Sequence, residues 1–241
     1  QQLTASERIW VEQLAYQWGA APESYDVACS GGELLKTPCA AGLANVYQDG
    51  RYWHIPGGLV CPPALQSSMV EWLKTNADLQ HKTVAVYSIG DQSVDYFREA
   101  GYAVNQFGEE PILDLDGLDW KGKSFEWVRR QTHACERAGL QVVEIADQET
   151  QIGLASELSQ IHDDDLSERV YSRPLRLLEG EFDCHSLNRR RLFVVRDTAS
   201  QRIGGFLAAS PMSGGHAWAF ETYRKRRSAP RGVIPFLFRK V

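Results

Sequence analysis

No stretch of the 241-residue sequence approaches the roughly 18–20 uninterrupted apolar residues that a helical membrane span requires, which excludes a polytopic membrane protein. The opening Gln-Gln-Leu-Thr has neither a basic nor an apolar leader region, so no secretory signal is expected within this sequence. It also lacks an initiator Met, and the chain reads as a piece of a longer protein that could carry a membrane segment elsewhere. Cysteine is scarce: Cys29, Cys39, Cys61, Cys135 and Cys184 are widely spaced, odd in number, and contain no Cys-x-x-Cys pair. With no His at zinc spacing, no metal site is expected, and the five read as free thiols of a reducing cytoplasm.

What is present is a globular composition, 43% hydrophobic and 24% charged, with a mean hydropathy of -0.36. One large domain or two compact ones are expected. The net charge of -5 conceals an asymmetry. Up to Glu168 there are 11 basic and 26 acidic residues, and beyond it 15 basic and 5 acidic. A basic C-terminal third suits an anionic partner such as nucleic acid, phosphate or lipid headgroup; it could equally balance the chain's own acidic part.

Helical spacing of Ile9, Trp10, Leu14 and Trp18 predicts a helix over Ser6–Trp18, with Ser6 placed to cap it. Ala41–Tyr47 and Arg51–Ile55, joined through Gln48-Asp49-Gly50, predict a hairpin. Pro62-Pro63 opens a helix to about Ala77, followed by a strand at Thr83–Tyr87, a helix at Gln92–Glu99 and a strand from Tyr102. Pro111–Leu115 is strand-like. Then come a helix at Phe125–Ala138, a strand at Gln141–Ile145, a helix at Thr150–Asp164, strands at Arg191–Arg196, Ile203–Ser210 and Ala217–Tyr223, and a helix from Gly232. The alternation predicts a mixed α/β architecture of two similar lobes, divided near residues 108 to 120.

The segment richest in chemistry is Ala217–Val241. A strand leads into Arg224-Lys225-Arg226-Arg227-Ser228-Ala229-Pro230-Arg231-Gly232 and then an apolar helix. A basic, glycine-ended turn between strand and helix offers backbone N–H groups, a helix dipole and guanidinium forks to phosphate. Acyl-CoA acetyltransferases of the GNAT fold hold a pyrophosphate on such a turn. Arg224, Arg226, Arg227, Arg231 and Gly232 are therefore candidate phosphate ligands. Glu221, on the strand feeding the loop, is the candidate catalytic carboxylate.

That loop, together with Phe107-Gly108-Glu109-Glu110-Pro111-Ile112-Leu113-Asp114-Leu115 and Gly122-Lys123-Ser124-Phe125-Glu126-Trp127-Val128-Arg129-Arg130, resembles the C-terminal domain of the phosphatidylglycerol lysyltransferase family. The family includes the soluble parts of bacterial lysyl- and alanyl-phosphatidylglycerol synthases. Cys135-Glu136-Arg137-Ala138-Gly139, Gly180-Glu181-Phe182-Asp183 and Phe193-Val194-Val195-Arg196 follow in the family's order, and the resemblance covers most of residues 40 to 238. It implies an α/β (α+β) fold of tandem GNAT-like lobes, residues 1–115 and 116–241, each a twisted mixed sheet flanked by helices. The active site would lie in a tunnel between lobes, where a lipid glycerol hydroxyl attacks an aminoacyl ester.

By the same resemblance the donor is aminoacyl-tRNA, the acceptor phosphatidylglycerol or another anionic phospholipid, and no cofactor is needed. The site would be cytoplasmic, peripheral to or tethered at the inner membrane. Arg173 and Arg176 fall where the family puts substrate-facing residues, and the Arg189-Arg190-Arg191 run could guide tRNA. Two departures stand out. Ser228 occupies the place of an Asp in the family's Asp-Ala-Pro loop, and the chain stops one or two turns into the following helix, so the second lobe is expected to be incomplete. Two other readings stay open: a GNAT-type acyl-CoA-dependent acyltransferase with pyrophosphate on Arg227–Gly232, and a non-catalytic lipid- or RNA-binding relative.

Overall fold

A computed structural model describes residues 3–28, 32–37, 41–169 and 189–241. They divide into two compact units: Gln1–Val104 with Pro174–Arg190 and Ala209–Glu221, and Asn105–Arg173 with Arg191–Ala208 and Thr222–Val241.

The first unit starts with helix α1, Ala5–Trp18. Its cap is Thr4, not Ser6: Thr4 Oγ1 accepts from the Glu7 amide while the Glu7 carboxylate accepts from the Thr4 amide, a reciprocal pair that satisfies two otherwise orphaned donors. Lys36 Nζ also reaches Glu7 Oε1 at 2.8 Å. The Lys36 hydrogen bond, seconded by the Thr4 amide, pulls the Glu7 carboxyl down from the usual 4.5 to about 2. A depressed carboxylate stabilises the fold above its unfolded pKa and stops doing so as pH falls through its folded one. The first turn of α1 is therefore expected to lose protection between about pH 4.5 and pH 2, read as faster amide exchange at residues 5–8.

A 3-10 turn, Pro22–Ala28, follows α1. Strands β1 (Glu33–Lys36), β2 (Leu43–Asp49), β3 (Tyr52–Ile55) and β4 (Thr83–Val86) form one sheet in chain order. The first three pair antiparallel, whereas β3 and β4 are parallel. That parallel step needs a crossover, supplied by helix α2 (Gln66–Leu79). Helix α3 (Asp91–Glu99) follows β4. Alternate residues of β2 and β3, among them Val46, Trp53 and Ile55, pack on Val70, Leu73 and Phe97 of the two helices. On the other side Leu43 joins Val11, Ala15 and Tyr25.

The second unit contains helix α4 (Glu126–Arg137), strand β5 (Leu140–Glu144), helix α5 (Gln148–Ser167), strand β6 (Arg191–Asp197) and helix α6 (Val233–Lys240). Strands β7 (Ile203–Met212) and β8 (Ala217–Lys225) complete a sheet of order β5-β6-β7-β8; residues 203–208 and 222–225 of these strands belong to the second unit, residues 209–212 and 217–221 to the first. Leu192, Phe193, Val194 and Val195 are all buried, as in a strand covered on both faces. Gly205 is required by packing: a Cβ there would lie 2.8 Å from both the Arg224 carbonyl and Val233.

The architecture is the α/β one expected, two four-stranded sheets with flanking helices. Two expected strands do not form. The chain after Tyr102 and at Pro111–Leu115 is irregular, with Ile112 and Leu115 87% and 73% exposed. β-prone residues make a strand only where a neighbouring edge accepts their hydrogen bonds, and none does so here. Conversely, β1 has too short an apolar alternation to be read alone and exists through its pairing with β2. Cys61 and Cys135 are buried, whereas Cys29, Cys39 and Cys184 lie outside the described residues.

Candidate functional site

In the first unit, a group of buried polar side chains gathers around Arg190, just ahead of β6. Its guanidinium, 1% exposed, donates from Nε to Ser210 Oγ of β7 at 2.8 Å and from Nη2 to Glu221 Oε1 of β8 at 3.1 Å. Asp26 Oδ1, from the 3-10 turn, lies 3.5 Å from the same Nη2. The Arg190 guanidinium also sits 5.2 Å from the centre of the Tyr25 ring. Glu12 of α1, 2% exposed, adds a third carboxylate. Its charge reinforces desolvation in raising the Tyr25 phenol well above its usual 10, so that hydroxyl stays protonated and available as a donor.

Such burial is tolerable only because each charge meets an opposite charge or a hydrogen-bond partner. The sequence places Glu221 beside the basic loop; its partner is instead Arg190, and its side chain is 10% exposed. A carboxylate fixed this way has a defined orientation and one remaining edge with which to accept a proton.

The sequence reading missed Asp26, Glu12, Tyr25 and Ser210. A faint signal existed for Glu12. On α1 it stands four residues after Arg8 and three before buried Ala15, so it shares the inward helix face despite its charge. No local signal marks Asp26, since its relation to Arg190 spans 164 residues.

The rest of the basic run is structured differently. Arg189 is exposed, donates to Gln13 Oε1 and lies 4.3 Å from the Tyr16 ring centre. Arg191, in the second unit, makes a two-pronged pair with Glu144 at 2.8 Å for each bond. That pair lowers the Glu144 pKa and raises that of Arg191.

In the second unit the strand-to-helix loop is only partly open. Arg224 is buried, its Nε 3.8 Å from Asp165 Oδ2 on α5. Arg226, also buried, donates to the Ile203 carbonyl and to Glu157 Oε1, each at 2.8 Å. Arg227 is exposed and meets Glu168 at 2.9 Å. Arg231 is exposed with no ion-pair partner among the described residues. Gly232 is buried against α4, where a Cβ would come within 2.9 Å of the Gln131 Cβ, so its smallness serves helix packing. Arg173 and Arg176 lie outside the described residues, as does Gly180–Asp183.

A cavity of about 340 Å3 in the first unit opens at the carboxyl ends of β3 and β4. Gly57, Gly58, Ser88 and Gly90 border it with Trp18, Gln66 and Gln92, and no charged side chain lines it among the described residues. It therefore suits an uncharged group and lacks the cations a pyrophosphate requires. Gly57 and Gly58 have φ of 72° and 70°, and a Cβ on Gly57 would sit 2.5 Å from the backbone of Glu23 and Ser24. Gly57→Ala is expected to destabilise by more than the ~1–2 kcal/mol of the left-handed conformation alone, measurable by urea unfolding.

Among the described residues no helix is long and apolar enough to cross a membrane, and no cluster of His, Cys, Asp and Glu is arranged to hold a metal ion.

Residues 35–241 match the family model described as phosphatidylglycerol lysyltransferase, C-terminal. None of the curated proteins is a sequence match. Among solved structures, L-PGS from Bacillus licheniformis superposes with a TM-score of 0.81 at 19% identity, covering 96% of this chain and 70% of that one. A C-terminal domain from Agrobacterium fabrum, described as that of a lysylphosphatidylglycerol synthetase, gives 0.80 at 19% identity, covering 98% and 73%. A conserved protein of unknown function from Bacteroides thetaiotaomicron gives 0.64 at 12% identity, covering 99% and 84%. At these identities the likeness establishes the fold.

Proposed function

Because the chain belongs to the phosphatidylglycerol lysyltransferase C-terminal family, we propose that it moves an amino acid, of lysyl or alanyl type, from aminoacyl-tRNA to phosphatidylglycerol or a related anionic lipid at the membrane surface. The observation that carries this reading is the family match across residues 35–241, on a GNAT-like α/β fold. The polypeptide would act at the cytoplasmic face of the inner membrane, with any membrane-spanning portion of the same protein supplying the tether.

In the proposed reaction a glycerol hydroxyl of the lipid attacks the carbonyl carbon of the aminoacyl ester. The hydroxyl proton passes to the Glu221 carboxylate, the new ester forms as the old one breaks, and the ribose oxygen of the tRNA leaves with that proton, returned by Glu221. Arg190 acts as a positioning residue, since two of its guanidinium nitrogens hold Glu221 and Ser210. The protonated Tyr25 hydroxyl is a donor for the negative charge that develops on the carbonyl oxygen. Arg227, Arg231 and Arg189, the exposed members of the basic set, are proposed to meet phosphates.

An acyl-CoA donor is the alternative to test. It receives less support because Arg224 and Arg226 are committed to Asp165 and Glu157, and the first unit's cavity has no cation in its described lining. With phosphatidylglycerol vesicles as acceptor, labelled lysyl- or alanyl-tRNA is expected to label the lipid and labelled acetyl-CoA is not. Labelling from acetyl-CoA alone would overturn the assignment of the donor.

A further inference from the structure

The first unit's sheet carries an aromatic surface that the transfer chemistry does not use. Trp53 and Ile55 of β3 turn into the core, so Tyr52 and His54 point to the opposite face. The parallel register sets Thr83 beside Tyr52 and Ala85 beside His54, and Tyr87 lies two residues further along the same face. Thr83 and Ala85 are small, and of the three larger rings Tyr52 is exposed while His54 and Tyr87 are half-buried.

His54 Nδ1 and Tyr87 Oη are hydrogen-bonded at 2.8 Å, with ring planes only 18° apart and centres 5.9 Å apart. The hydrogen bond ties the two nearly parallel rings together as one tile. Tyr52, 41% exposed, continues the tile, with its ring centre 6.4 Å from that of His54 and tilted by 36°.

Cations stand at one end of this row. The Arg51 guanidinium lies 5.1 Å from the Tyr52 ring centre and donates to Tyr52 Oη at 3.0 Å. Lys82 Nζ is held beside the same turn by the Gly50 carbonyl at 3.0 Å. Flat π faces at intervals of about 6 Å, with guanidinium and ammonium groups alongside, combine stacking surfaces for bases with positive charge for the connecting phosphates.

We propose that Tyr52, His54 and Tyr87, flanked by Arg51 and Lys82, form a stacking platform for the single-stranded end of an RNA. The identification of that RNA as the aminoacyl-tRNA donor rests on the function proposed above; the platform itself rests on the rings and cations.

The test uses the full chain and a fluorescently labelled, short single-stranded RNA ending in cytidine-cytidine-adenosine. Replacing both tyrosines with alanine (Tyr52→Ala with Tyr87→Ala) is expected to weaken binding about 5- to 150-fold, the loss typical of one stacked base or more. The paired Tyr52→Phe and Tyr87→Phe variant loses clearly less than the alanine pair, because it keeps the stacking rings and gives up only the hydrogen bonds of their hydroxyls. Arg51→Ala weakens binding and lowers its salt dependence. In the transfer reaction the alanine pair raises KM for aminoacyl-tRNA with kcat unchanged.

Equal loss in the phenylalanine and alanine pairs, or no loss in either, would overturn the platform. So would a change confined to self-association on sedimentation, which would mark the face as a contact between copies. If lipid is labelled from aminoacyl-tRNA and the alanine pair leaves both RNA affinity and KM untouched, the platform fails and the transferase reading stands. If RNA binding depends on the rings and no lipid is labelled, the reverse holds.

Discussion

Arg190→Ala is expected to destabilise the protein by about 3–5 kcal/mol, seen as a Tm roughly 6–20 °C lower in thermal unfolding. The reason is the accounting of buried charge. Arg190 is 1% exposed and faces Glu221 at 3.1 Å and Asp26 at 3.5 Å, themselves 10% and 2% exposed. Deleting the guanidinium leaves those carboxylates short of a counter-charge in a place water barely reaches, and strips Ser210 of its donor. Arg190→Lys keeps the charge yet cannot hold Ser210 and Glu221 with separate nitrogens, so part of the loss is expected to remain. Replacing Arg190 with Met and Glu221 with Gln together is expected to cost less than Arg190→Ala, since fewer charges are left unmatched. A Tm within 2 °C of the wild type for Arg190→Ala would show that the cluster is not energetically coupled.

The second large effect concerns chemistry. Glu221→Gln preserves shape and a carbonyl oxygen facing Arg190 but removes the proton acceptor. It is expected to lower kcat for lipid aminoacylation by roughly 10²–10⁴, with a smaller stability change than Arg190→Ala. Glu221→Asp keeps the carboxylate and withdraws it by one methylene, so an intermediate rate is expected. Activity of Glu221→Gln within about threefold of wild type would confine Glu221 to a structural role as Arg190's partner, because general-base catalysis accounts for at least about a hundredfold.

Much of the fold was legible because it is local. The spacing of Leu14 and Trp18, the turn at Asp49-Gly50 and the proline pair at Pro62-Pro63 each fix dihedral angles or a buried face within a few residues. Pro111–Leu115 shows the limit, since its β-prone residues find no edge to join.

The site was harder to read, for a reason visible in the charge. The acidic part up to Glu168 and the basic part after it fit either an external polyanion or an internal balance of charge. In the structure much of that contrast is internal: Asp26, Glu136, Glu144, Glu157, Asp165 and Glu168 pair with Arg190, Lys240, Arg191, Arg226, Arg224 and Arg227 respectively. These partners lie far apart in sequence, so no pattern within a window could couple them. Glu221 stands out in the sequence as a carboxylate amid cations, yet its buried neighbour Arg190 precedes it by 31 residues and belongs to the run expected to guide tRNA.

The central claim is that this chain transfers an amino acid from tRNA to an anionic lipid. The most direct measurement incubates the wild-type protein with tRNA carrying labelled lysine or alanine and vesicles containing phosphatidylglycerol, then extracts and resolves the lipids. A labelled lipid that forms in proportion to protein, and fails to form when free amino acid replaces the charged tRNA, is the expected result. Label that stays on tRNA or leaves it only as free amino acid, with both lysyl and alanyl donors, would contradict the claim.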